Sequence, residues 1–87
     1  MVLFLTISIC HAQKEGQALI DSLVADLPMM KEDTNKVKTL ALLSFEFRNF
    51  ELEQGVTYGK EALKLSKELN YRFGEGISEL SIAYNYF

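Results

Sequence analysis

The chain predicts an all-α fold, antiparallel helix pairs stacked as an α-solenoid of about one and a half repeats. Three observations carry that prediction. Leu43-Ser44-x-x-Phe47 recurs 39 residues later as Ile82-Ala83-x-x-Tyr86, each copy a large apolar residue, a small one and an aromatic. Between the copies, Gly55, Gly59, Ala62 and Ser66 recur at the spacing of one helical ridge. Elsewhere apolar residues keep the three-and-four rhythm of amphipathic helices, and the one proline, Pro28, falls between two such stretches. A helix pair repeated at a fixed interval signals a solenoid, whose units bury their apolar faces by stacking on neighbours.

Residues 1–12 carry no charge and hold the run Val2-Leu3-Phe4-Leu5-Thr6-Ile7-Ser8-Ile9. The run is shorter than the roughly 20 apolar residues of a membrane span. It fits the apolar region of a signal peptide, with Cys10 and Ala12 as the small residues ahead of a cleavage site before Gln13. No Lys or Arg precedes the run, which leaves the true start codon open. An anchor helix and a lipoprotein box ending at Cys10 are the competing readings, and the second wants a small residue where Ile9 stands. The expectation is an exported chain starting near Gln13, on the periplasmic or extracytoplasmic side of a bacterial membrane.

Residues 13–32 form an N-terminal amphipathic helix and linker. Ala18, Leu19, Leu23 and Leu27 share one face, Ile20 and Val24 widen it, and Pro28 ends the helix. Residues 33–70 form the first helix pair. Asp33 or Thr34 caps a helix over 35–49, striped by Val37, Leu40, Ala41, Ser44 and Phe47 and widened by Leu43 and Phe50. The partner helix spans 53–69, with Glu51 and Glu53 at its dipole-favoured start. Its small ridge lets the first helix approach closely, and that contact is the reason to keep two glycines that cost about 1 kcal/mol each against Ala. Lys64 and Glu68 make an outward i, i+4 pair. Asn70 is a left-handed cap, and Tyr71-Arg72-Phe73-Gly74 turns the chain. Residues 71–87 then supply the first helix of a second, incomplete repeat, starting near Gly76 and still apolar at Phe87. A solenoid needs a polar end, so the expectation is the N-terminal part of a longer array or a truncated reading frame.

With a net charge of −3 and a sequence pI near 5.0, nucleic acid is a poor default partner. Cys10 is the only cysteine and His11 the only histidine, so no intrachain disulfide exists and the mature segment has neither residue as base or nucleophile. No phosphate-cradling glycine loop occurs, and Gly74-x-Gly76 reads as a turn. The carboxylate couples Asp21 with Asp26 and Glu51 with Glu53 read as solvated faces and helix starts. No catalytic residue, cofactor or metal site is expected.

These residues resemble a tetratricopeptide repeat. Leu40, Leu43, Ser44 and Phe47 match the large, large, small and aromatic positions of its first helix. Gly55 and Ala62 match the small positions of its second, and Ile82, Ala83 and Tyr86 the next repeat. The 39-residue interval exceeds the usual repeat of about 34 residues, as a lengthened second helix allows. Asp33-Thr34-Asn35-Lys36-Val37, Leu43 through Asn49 and Tyr58-Gly59-Lys60-Glu61-Ala62-Leu63 are also similar to the extracytoplasmic sensor regions of Bacteroidetes-type histidine kinases and transcriptional regulators. Leu52 stands where the family often has proline and Gly59 where an aromatic is usual, which implies a looser contact within the pair. The carboxylate clamp of other tetratricopeptide domains is not implied, because Ala41 and Phe45 occupy its positions.

The resemblance implies a non-catalytic protein-interaction or sensing scaffold for a protein or peptide, at the N-terminal end of a longer signal-transduction protein. Its concave face would present Lys38, Phe45 and Arg48, joined by Tyr84 beside Phe45; an amphipathic partner helix suits such a groove. If those aromatics are instead stacking core, the two cations are merely solvated. The rival class is an exported structural repeat protein that self-associates through residues 76–87.

Overall fold

A computed structural model describes residues 15–86. The signal-peptide, anchor and lipoprotein readings, with Cys10, His11 and Gln13, lie outside those residues. Four helices follow in order: α1 (15–26), α2 (Thr34–Glu46), α3 (Leu52–Glu68) and α4 (Arg72–Asn85). The described residues contain no strand.

Local chemistry sets most of the boundaries. Pro28 opens a single 3-10 turn, Leu27–Met29, that closes α1. Within α1 the buried residue is Ile20, while Leu23 and Leu27 are half-buried and Leu19 is exposed. Asp33 caps α2 from extended backbone, its carboxylate accepting the N–H groups of Asn35 (3.0 Å) and Lys36 (3.2 Å). Such a cap contributes about 0.5–2 kcal/mol. The expected α2 end at Asn49 is corrected to Glu46, because Phe47–Asn49 tighten into a 3-10 turn in which the Phe50 N–H reaches Phe47 O at 2.9 Å. The ion pair found among the described residues is Lys36 with Glu32, which ties the linker to the first turn of α2.

Asn70 is left-handed (φ 54°), as its position predicts. Its N–H reaches Lys67 O at 3.2 Å and that of Tyr71 reaches Ser66 O at 2.8 Å, the paired closure of a Schellman motif. This closure alone redirects the chain, so α4 starts at Arg72 and the expected turn over residues 71–74 does not form. Gly74 and Gly76, read from the sequence as turn residues, are both helical. Gly74 sits at a crossing: a Cβ there would lie 2.5 Å from Ser66 Oγ and 2.8 Å from Val37 Cγ1.

Three such crossings fix the packing. At one end α4 meets α2 and α3 through Gly74, Val37 and Ser66. In the middle the Gly59 backbone lies against Ser44 of α2 and Ile82 of α4, and at the far end Asn85 lies over Gly55 and bonds Ser44. Hence α2 and α4 run parallel, with α3 antiparallel to both and touching each. The core gathers where all three meet: Val37, Leu40, Ala41, Ala62 and Leu65, with Leu27, Tyr58, Tyr71 and Ile77 packed against it. The small ridge Gly55, Gly59, Ala62 and Ser66 is buried along its whole length. Gly59 does not loosen the pair as its departure from the family pattern implied. A Cβ there would stand 2.4 Å from Ile82 Cγ1 and 2.8 Å from Ser44 Oγ, so the missing side chain is what allows three helices to meet.

Helix α4 packs in an unexpected sense. Its buried residues are Gly74, Ser78, Ser81 and Asn85, whereas Phe73 (64%), Leu80 (55%), Tyr84 (44%) and Tyr86 (73%) are exposed. The buried hydroxyls stay satisfied within their own helices: Ser78 donates to Gly74 O, Ser81 to Ile77 O and, in α3, Ser66 to Ala62 O. Small, satisfied polar residues let the backbones approach. They also leave the apolar side of α4 facing outward.

Candidate interaction surface

The parallel course of α2 and α4 places Phe45 and Tyr84 side by side, their rings edge to face with centroids 5.2 Å apart. Such a pair contributes about 0.5–1.5 kcal/mol beyond its buried area. Arg48, one turn on from Phe45, folds back so that its guanidinium carbon lies 3.7 Å from the Phe45 ring centroid, while Nη1 donates to Phe45 O at 3.0 Å. The geometry is a cation–π contact with a hydrogen bond that holds it. Phe45 and Arg48 are half-buried and Tyr84 is exposed, so the cluster forms a surface rather than a core.

Lys38 is exposed on α2. It lies two helical turns before Phe45, about 10 Å along the axis, and so borders the cluster without touching it. The remaining residues singled out in the sequence divide by depth. Leu40, Leu43, Ser44, Gly55 and Ala62 are buried, Ile82 and Ala83 are half-buried, and Phe47 stacks on Tyr58 at 5.6 Å with rings 13° apart. Tyr86, matched to a packing position, instead stands mostly exposed beside Leu52 and Val56 at a small apolar recess of about 250 Å³.

Asn85 has no counterpart in the sequence reading. It is 2% exposed, and its Nδ2 donates to Ser44 O and Ser81 O at 2.9 Å each and reaches Ser44 Oγ at 3.3 Å. Oδ1 has no partner and occupies the notch left by Gly55. The signal was present as the 74, 78, 81, 85 spacing of small and polar residues, one helical face masked by the more apolar residues between them.

A second concavity, an open cleft of about 800 Å³, lies between α1 and the α2–α3 connection. Ile20, Val24, Phe47, Phe50 and Tyr58 line it together with the carboxylates of Asp21 and Glu51. The sequence sets Asp21 beside Asp26 and Glu51 beside Glu53; in the fold Asp21 and Glu51 line the same cleft.

Among the described residues, no three His, Cys, Asp or Glu side chains converge as a metal site would require, and no helix is long and apolar enough to cross a membrane. No protein-family model, curated protein or solved structure matches the chain.

Proposed function

We propose that the chain is a tetratricopeptide-like helical-repeat segment serving as a non-catalytic scaffold for protein interaction or sensing. The observation that carries this reading is the parallel stacking of α2 and α4 across α3, with a register close to the sequence repeat. Gly74 meets Val37 and Asn85 meets Ser44, intervals of 37 and 41 residues on either side of 39. Stacked repeats turn equivalent helices toward one face, where side chains not used in packing are available to a ligand.

On that face, Phe45 and Tyr84 supply apolar contact, and Arg48 and Lys38 supply positive charge. The complementary partner is an amphipathic helix with apolar anchors at one-face spacing and a carboxylate beside them. The resemblance to extracytoplasmic sensor regions adds the setting: an exported segment in series with a signal-transduction output module. To test the surface, helical peptides selected from a displayed library on the wild-type protein are measured again on Tyr84→Ala. The expected result is at least about tenfold weaker binding, the share of a well-packed aromatic anchor. Equal affinity for both proteins would move the interaction elsewhere.

A second reading is favoured by the outward apolar side of α4. Phe73, Leu80 and Tyr84 are exposed along one side of α4 and Tyr86 is exposed just past its end, and exposed apolar surface of this kind marks interfaces. Self-association through this helix predicts a concentration-dependent dimer in sedimentation equilibrium that Tyr86→Glu abolishes. A monomeric wild type, or a dimer that survives the substitution, removes this reading.

A further inference from the structure

The cleft between α1 and the α2–α3 connection is independent of the scaffold reading and combines three properties. Its volume, about 800 Å³, falls within the range of small-molecule sites, roughly 300–1,000 Å³. Apolar and aromatic groups form one part of its wall, Ile20 and Val24 from α1, Phe50 from the connection and Tyr58 of α3 stacked on Phe47, and the side-chain amides of Gln17, Asn49 and Gln54 form another. Its charged lining is of one sign. Asp21 and Glu51 contribute carboxylates, Gln17 Nε2 donates to Asp21 Oδ1 at 3.0 Å, and no Lys or Arg among the described residues lines the cleft.

We propose that this cleft binds a small amphipathic organic ammonium. The apolar body of the ligand would lie against Ile20, Val24 and Phe50, with its cationic head among Asp21, Glu51 and the Tyr58 ring. Each property excludes an alternative class. An anion meets two carboxylates and no counter-charge from the described residues. A neutral apolar molecule gains nothing from the two exposed carboxylates. An ammonium satisfies the carboxylates by charge and the aromatic faces by their quadrupole, both of which line this cleft.

The test uses phenethylammonium and its uncharged counterpart 2-phenylethanol, titrated separately into the isotope-labelled protein. The side-chain amides of Gln17 and Gln54, both on the cleft wall, are the reporters. The expected result is saturable shifts with the ammonium and binding of the alcohol weaker by about tenfold or more, the loss of a charge-assisted contact. Asp21→Asn with Glu51→Gln should weaken the ammonium by a similar factor. Asp26→Asn with Glu53→Gln removes the same net charge outside the cleft and should leave the affinity unchanged. No saturation, equal affinity for ammonium and alcohol, or equal losses in the two double variants would overturn the proposal.

Discussion

Asn85→Asp is expected to destabilise the protein by about 3–5 kcal/mol, the effect of a buried charge without a partner. For a domain of this size that is most of its stability. Nδ2 donates to two carbonyl oxygens, Ser44 O and Ser81 O, and one of these bonds joins α4 to α2. An Asp carboxylate has the same shape but only acceptors, and it would face both carbonyls with no donor to offer. Acid should relieve part of the loss, because a protonated carboxyl regains one O–H donor. Burial against two carbonyls raises the carboxyl's folded-state pKa above its unfolded value, so the variant is most stable in acid and weakens as pH rises. Urea midpoints of the two proteins at about pH 7 and about pH 5 check this, since both values lie above the ordinary Asp range. The gap should be large at the first and smaller at the second. A midpoint unchanged at neutral pH would mean that Asn85 does not join the helices.

Gly59→Ala should destabilise by about 1–3 kcal/mol, the range of an overpacked core. Gly76→Ala should stabilise by about 1 kcal/mol, the difference in helix propensity. Both glycines sit inside helices, so propensity favours alanine at both, and only packing separates them. At Gly59 the new Cβ meets Ile82 Cγ1 and Ser44 Oγ at well under contact distance; at Gly76 nothing lies within 4 Å. Thermal unfolding of the pair reads the difference as opposite shifts in Tm. Two upward shifts would show that the three helices do not converge on Gly59.

Much of this fold is legible in the chain because local chemistry and packing agree. Pro28 closing α1, Asp33 capping α2 and left-handed Asn70 all follow from residue type alone. The buried ridge of α3 follows because only small residues recur there. The sequence puts the start of α4 near Gly76 rather than Arg72 for a definite reason. Gly74-x-Gly76 carries a local signal for a turn, and the tertiary contact that needs a glycine at position 74 comes from Val37 and Ser66, distant in sequence. The inward side of α4 was hidden similarly. Hydrophobic periodicity points to Ile77, Leu80 and Tyr84, while the helix packs through serines whose hydroxyls are already satisfied by its own backbone.

For the surface, the 39-residue offset placed Phe45 beside Tyr84, but nothing local announced that Arg48 folds back over Phe45. The cleft could not be read from the chain, since its two carboxylates are 30 residues apart and line one cleft only through the way α1 packs.

The central claim is that α2 and α4 lie parallel across α3 in the register of the repeat. Proton–proton Overhauser spectroscopy on the labelled protein tests it most directly. The account predicts cross-peaks between the Phe45 and Tyr84 rings and between the Val37 methyls and the Gly74 α-protons. Cross-peaks from Phe45 to residues at the Arg72 end of α4, or none between the two helices, would contradict it.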